Sequence, residues 1–159
     1  MNSLKIQQIL TRLNLRSAYN LVRIKEGQKY LTAFRTPLGH FQYLVMPLGH
    51  RNAPSVFQHF IQDVLDETIG IYVQAYLDDI IIYSKKNKEE HIQHVSIVLQ
   101  LLIKNSLFVK LEKCEFHVKE TTFLGFIVSI NDLTMDKNKV KSVLEWPTPK
   151  NIKDLPVVV

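Results

Sequence analysis

Two adjacent aspartates, Asp78 and Asp79, sit inside the stretch AYLDDIIIYSK at residues 75–85 and interrupt a run rich in Ile, Val and Tyr from Ile71 to Tyr83. Such a run has the composition of a strand buried on at least one face. Neighbouring carboxylates repel each other, and burying an unpaired charge costs several kcal/mol or forces the group to neutralise. Two arrangements relieve the conflict. The pair can mark a hairpin turn with both side chains in water, where aspartate is ordinary, or the turn can hold a divalent cation. The residues alone leave both open, and acidic turns far outnumber metal sites.

Other side chains with chemical potential have plainer readings. His91 and His94 lie three apart beside Glu90, a spacing that can bind metal, but no further ligand is close in sequence, so they read as solvated surface. Cys114 is the single cysteine; it excludes an internal disulfide and a multi-cysteine zinc site and reads as a small buried hydrophobe.

The elements that must position these residues follow from periodicity. Ile6, Ile9, Leu10 and Leu13 fall on one helical face and predict a short helix over 4–13, with LNLRSAYNLVRI opening as a strand. YLTAFRTPLGHFQYLVM, from Tyr30 to Met46, places two aromatic-rich runs around Pro37, Leu38 and Gly39, a hairpin pattern. Asn52 as N-cap and Pro54 in the first turn start a helix with the stripe Val56, Phe57, Phe60, Ile61, Val64, Leu65, ended by Gly70. Asn87, with Glu90 in the capping-box position, starts a second helix whose buried side carries Ile92, Val95, Val98, Leu99 and Leu102. LFVKLEKCEFHV and TFLGFIVS read as two more strands, and WPTPKNIKDL as a linker. The order of elements predicts an α+β fold, a sheet packed on helices with the acidic pair at a hairpin tip.

Composition sets the bounds. The 159 residues are 46% hydrophobic and 22% charged, enough for one globular domain with a core. No apolar stretch approaches the roughly 20 residues of a membrane span, and the start MNSLKIQQIL lacks a secretory apolar segment, so an intracellular location in cytoplasm or nucleus is expected. The net charge of +5 is spread as +2 over residues 1–79 and +3 over 80–159. A modest basic excess suits a polyanionic partner, and without a basic tail any such surface must be made by folding.

TAFRTPLGHFQYLVMPLG, NAPSVFQ, YLDDIIIYSK, LFVKLEKCEFHV and FLGFIVS, in this order, resemble the reverse transcriptase of gypsy-type LTR retrotransposons, from about Leu13 to about Leu155. The resemblance implies a right-hand polymerase palm with partial fingers over 1–155, a fingers-side hairpin at about 28–48 and the truncated start of a thumb at 146–159. It implies RNA-directed DNA polymerase chemistry on an RNA or DNA template with primer and dNTP. In the family the stretch matching Tyr76, Leu77, Asp78 and Asp79 presents carboxylates to two Mg²⁺ ions, Asp78 as the principal ligand and Asp79 as the more peripheral one. That chemistry explains the residue types: hard oxygen donors on a rigid turn suit Mg²⁺, and two cations make the primer 3′-oxygen nucleophilic and neutralise the leaving pyrophosphate. Tyr19 matches the aromatic residue packed under the incoming sugar, with a core tyrosine as the plainer reading. Leu48, Gly49 and Pro54 match the segment lining the nucleotide pocket, where the family more often has Phe at position 48 and other residues at His50 and Arg51. Phe123, Leu124 and Gly125 match the turn that holds the primer end, and Lys110, Lys113 and Lys119 are candidate phosphate contacts or solvated surface.

One position departs from the pattern. The family's first motif reads Leu-Asp-Leu-Arg-Ser before the aromatic residue, and this chain has LNLRSAY, with Asn14 in place of the third metal-binding aspartate. An amide oxygen can coordinate Mg²⁺ but brings no charge, so binding is expected to weaken and the rate to fall by orders of magnitude. With only 13 residues before Asn14, and an end where a thumb should begin, the chain reads as a palm-centred fragment without the upstream fingers, RNase H, protease or integrase regions. Three readings remain: a polymerase domain impaired by Asn14 and truncation; an inactive relic, decayed or host-adopted, acting as a nucleic-acid-binding or protein-interaction module; or a translated remnant without selected function.

Overall fold

A computed structural model describes residues 9–85, 87–129, 132–135, 140, 141, 144 and 145. Its centre is an antiparallel four-stranded sheet in the order β4-β5-β1-β6, from Val73–Tyr76 (β4), Asp79–Ser84 (β5), Ile9–Asn14 (β1) and Glu115–Val118 (β6). β2 (Phe34–Thr36) and β3 (Gly39–Phe41) form the expected hairpin about Pro37 and Leu38. β7 (Glu120–Phe123), β8 (Phe126–Ser129) and β9 (Leu133–Met135) form a second sheet. The helix α1 (Ala53–Val64) lies against β4, and α2 (Lys88–Lys104) against β5 and β1. The α+β fold expected from the element order, a sheet packed on helices with the acidic pair at a hairpin tip, is therefore present.

The core lies between helices and sheet. Phe57, Ile61 and Leu65 from α1 and its end, Val98 and Leu102 from α2, and Leu13, Val73, Ile80 and Ile82 from the strands are almost wholly buried. Removing each such side chain from water contributes roughly 1.5–3 kcal/mol. Among the described residues no helix is long and apolar enough to cross a membrane.

Several local expectations are corrected. Residues 9–13 are strand, not helix; residues 4–8 of that expected helix lie outside the described residues. Ile9, Leu10 and Leu13 do have helical spacing, but β1 is hydrogen-bonded between β5 and β6, and Leu10, Thr11, Leu13 and Asn14 are all buried there. Pairing on both sides overrides local period. The expected strand from Leu13 ends at Asn14, and a 3₁₀ turn at Ala18–Leu21 follows. α1 stops at Val64, before Gly70, with Leu65 as its C-cap, and the Thr68 hydroxyl donates to the Leu65 carbonyl at 2.8 Å. Asn52 stands at the N-cap position of α1 without a side-chain cap, and Val56 is exposed. Asn87 does cap α2, its Oδ1 accepting from the Glu90 N–H at 2.8 Å. The final segments form four strands rather than two, after a 3₁₀ turn at Leu111–Lys113. Cys114 is half-buried, its thiol directed at the Lys110 carbonyl. The linker and the thumb segment at 146–159 lie outside the described residues.

The largest correction concerns α2. Its buried stripe is His91, Val95, Val98 and Leu102, while Ile92 is exposed. His91 is wholly buried, with Nε2 2.8 Å from Thr11 Oγ1 and Nδ1 2.9 Å from Ser84 Oγ. His94 is half-buried, with Nδ1 2.7 Å from the same Ser84 hydroxyl and its ring stacked on Tyr72. Neither histidine is solvated surface, because strand hydroxyls supply what water would.

Candidate functional site

The β4–β5 hairpin turns through two residues, Leu77 and Asp78, closed by the Tyr76–Asp79 pair. Leu77 has φ 52°, a left-handed conformation that costs a residue with a Cβ about 1–2 kcal/mol. Gln58 of α1 holds it there: Oε1 accepts from the Leu77 N–H at 2.7 Å and Nε2 donates to the Ala75 carbonyl at 3.1 Å. From the other side the Leu15 N–H donates to the Asp78 carbonyl at 2.7 Å. The tip is thus fixed from both flanks.

β1 brings Asn14 directly opposite Asp79. The Asn14 amide donates to Asp79 Oδ1 at 3.0 Å and to Asp78 Oδ2 at 3.3 Å. Arg12, two residues earlier on the same face of β1, donates from Nη2 to both Asp79 oxygens, at 3.1 and 3.4 Å. Below the tip, Asp78 shares a small cavity of about 160 Å³ with Leu15, Ser17, Ala18, Tyr19, Asn20 and Leu48. Tyr19 packs on Phe57 with ring centroids 5.4 Å apart, and its phenol pKa is raised by burial first, then by the charge of Asp78 and by Tyr76.

The structure therefore gathers Asn14, Asp78, Asp79, Tyr19 and Leu48. Gly49 follows Leu48 with φ 93°, a conformation suited to glycine, and Pro54 is exposed in the first turn of α1. Phe123, Leu124 and Gly125 form a separate tip, the β7–β8 turn, with Leu124 at φ 54° and Gly125 at φ 79°. Lys110 is tied to the site through its backbone, its N–H donating to the Asn14 carbonyl at 2.7 Å, while its Nζ lies 3.7 Å from Glu112. Lys113 and Lys119 are exposed on the β6 side. A larger hollow of about 580 Å³, ringed by Asp63, Asp66 and Glu67, holds none of the motif residues. Arg12 and Gln58 were missed by sequence reasoning. Arg12 has the signal of standing two residues before Asn14, which matters only once β1 is a strand.

Two carboxylates and an amide oxygen are the hard donors Mg²⁺ requires. Among the described residues no group of three or more acidic, histidine or cysteine side chains could hold a metal. Asp78 and Asp79 thus offer two charged oxygen donors, and Asn14, as placed, turns its NH₂ rather than its oxygen toward them.

Comparisons with known proteins give the site its context. The sequence matches the family described as reverse transcriptase (RNA-dependent DNA polymerase) over residues 1–128. It is 44% identical over 147 residues to the Transposon Tf2-3 polyprotein of Schizosaccharomyces pombe, covering 92% of this chain and 11% of that one. The fold is similar to a foamy viral protease-reverse transcriptase in complex with RNA/DNA hybrid, with a TM-score of 0.78 and 22% identity over 97% of this chain and 21% of the other. A crystal structure of the prototype foamy virus protease-reverse transcriptase is 31% identical, with a TM-score of 0.69 over 82% of this chain and 17% of its own. The chain spans about a tenth of the length of the curated relatives it matches. With the family's extent covering the sheet, both helices and the acidic hairpin, this chain belongs to the reverse transcriptase (RNA-dependent DNA polymerase) family.

Proposed function

We propose that this chain is the palm portion of an RNA-directed DNA polymerase, acting on a primer annealed to an RNA or DNA template with dNTP, and that Asn14 weakens its metal binding and its rate. The observation that carries this reading is the Asn14 amide within 3.3 Å of both hairpin carboxylates, where the family's pattern has a third aspartate. Asp78 and Asp79 would hold Mg²⁺, which when bound neutralises charge on the primer 3′-oxygen and on the pyrophosphate. Tyr19 and Leu48, beside Asp78 in the small cavity, present an apolar floor to the sugar of the incoming nucleotide, with Gly49 next to it. Phe123, Leu124 and Gly125 support the primer end, and Lys110, Lys113 and Lys119 meet phosphates. A nucleic-acid partner accords with the fold neighbour solved in complex with RNA/DNA hybrid.

A second reading, an inactive nucleic-acid-binding module, draws on the hydrogen bonds that already engage both carboxylates without metal. One titration separates the two. A labelled RNA/DNA primer–template hybrid should bind at low salt and weaken as salt rises, because phosphate contacts dominate. Adding Mg²⁺ with the templated dNTP should tighten it, and Asp78→Asn should abolish that gain. Salt-sensitive binding that ignores Mg²⁺ and dNTP would favour the inactive module.

A further inference from the structure

Arg12 has no part in the metal chemistry proposed above, yet it reaches into the middle of the acid site. It lies on the same face of β1 as Asn14, and its Cα partner on β5 is Ile81, two residues beyond Asp79. Its Nη2 meets both oxygens of Asp79, with each side chain only 23% exposed. A surface ion pair between mobile side chains gains little. This one is shielded, and the Arg12 Nε is buried with no hydrogen-bond partner. The guanidinium therefore occupies a place that leaves one of its own donors unmet.

The two carboxylates end up unequal. Asp79 receives a permanent cation and the Asn14 amide, whereas Asp78 receives the amide alone and faces the cavity shared with Tyr19 and Leu48. An arginine stays charged under all working conditions, so its effect on Asp79 does not switch off.

We propose that Arg12 is a positioning residue that acts as a built-in counter-cation for Asp79, so that this acid pair takes a single divalent cation, on Asp78, and holds it more weakly than the bare pair would. This rests on the metal-holding role proposed above for the acid pair and narrows it to Asp78. A cation at Asp78 meets the guanidinium bound to the adjacent Asp79 as a like charge, and Asp79 is already engaged.

The test is Mn²⁺ titration of the 159-residue protein, followed by electron paramagnetic resonance, for the natural chain and for Arg12→Met, Arg12→Gln and Arg12→Lys. The natural chain should bind one Mn²⁺. Arg12→Met and Arg12→Gln should bind Mn²⁺ about tenfold more tightly and rise above one ion per chain, since removing a like charge at this range is worth that much. Arg12→Lys should behave as the natural chain does. A merely structural Arg12 would lower melting temperature in the variants without tightening the metal. Unchanged affinity in folded Arg12→Met or Arg12→Gln, or two ions on the natural chain, would overturn the inference and leave the metal-holding reading standing. No Mn²⁺ on any form would overturn both. Circular dichroism verifies folding, and Arg12→Gln, which keeps a polar donor in the slot, serves if Arg12→Met does not fold.

Discussion

The strands β1 and β5 carry two polar clusters on opposite faces of one sheet, and the clusters satisfy themselves differently. Toward α2 lie Thr11 and Ser84 with His91 and His94; on the other face lie Arg12, Asn14 and Asp79, with Asp78 at the tip. In the histidine cluster one proton arrangement serves every group. The His117 N–H donates to Thr11 Oγ1 at 3.2 Å, the Thr11 hydroxyl donates to His91 Nε2, His91 Nδ1–H donates to Ser84 Oγ, and the Ser84 hydroxyl donates to His94 Nδ1. The opposite direction would leave the Thr11 proton without an acceptor. The acid cluster instead carries two negative charges against one positive, a buried Nε without a partner and a left-handed Leu77. A closed neutral network specifies how helix and sheet meet. An open charged one leaves more carboxylate than the single guanidinium answers.

The largest break in this comparison should come from His91→Leu. The substitution keeps the apolar bulk but takes the acceptor from the buried Thr11 hydroxyl, at about 1–3 kcal/mol, and removes one of the two bonds at Ser84, which still bonds His94, at about 1 kcal/mol more, so urea denaturation at neutral pH should show a loss of roughly 3 kcal/mol. A loss below about 1 kcal/mol would mean that the network contributes little to the docking of α2.

Acid should expose the same cluster without mutation. Burial first, then the charges of His117 and His94, lowers the His91 pKa from 6.5 to about 4. The unfolded chain therefore takes up the proton before the folded one, so the His91 contribution is intact above pH 6.5 and is lost progressively as pH falls from 6.5 to about 4. The loss should approach roughly 3 kcal/mol, at 1.36 kcal/mol per pH unit. Urea midpoints between pH 7 and 4 measure it, and His91→Leu should flatten that slope. An equal slope in both proteins would assign the acid sensitivity to other groups.

How much of this was legible in the sequence differs between the two faces. The acidic hairpin was, because Asp78 and Asp79 break a β-branched run at its turn, and so was α2, because Asn87 caps it through a local bond. Asn14 was legible only through the order of the motifs. Its strand was hidden, since Ile9, Leu10 and Leu13 fit a helical period and the pairing that makes them β1 comes from residues some 70 and 105 positions away. Arg12 was lost with it. The histidine cluster was illegible for a different reason: His91 is polar, and its burial depends on hydroxyls from two strands that no local pattern announces.

Restoring the missing charge sharpens the contrast on the acid face. Asn14→Asp is nearly isosteric, but it removes the amide that donates to both carboxylates and sets a third negative charge beside them. In chelator the melting midpoint should fall, by an amount equivalent to about 1–3 kcal/mol, and adding Mg²⁺ should recover most of it, because the cation regains a third carboxylate. The natural chain should respond to Mg²⁺ far less. An equal Mg²⁺ response in the two proteins would show that position 14 does not face the cation.

The smallest effect should come from Gln58, which holds the acid tip without touching either carboxylate. Its side chain bridges the Leu77 N–H and the Ala75 carbonyl, and so stabilises the positive φ that aims Asp78. Gln58→Met fills similar volume and removes both hydrogen bonds. One of the two released groups, the Leu77 N–H, sits at a half-exposed turn where water can replace the glutamine, so the global cost should be only about 1 kcal/mol. The local cost should be larger in relative terms. Hydrogen exchange at the Leu77 amide should rise well beyond what the change in global stability accounts for, while the amides of Ile80 and Ile82, paired deep in the sheet, should follow global stability alone. Equal acceleration at all three would mean that the strands themselves hold the tip. Gln58 would then be a surface residue of α1 with no hold on the acid pair.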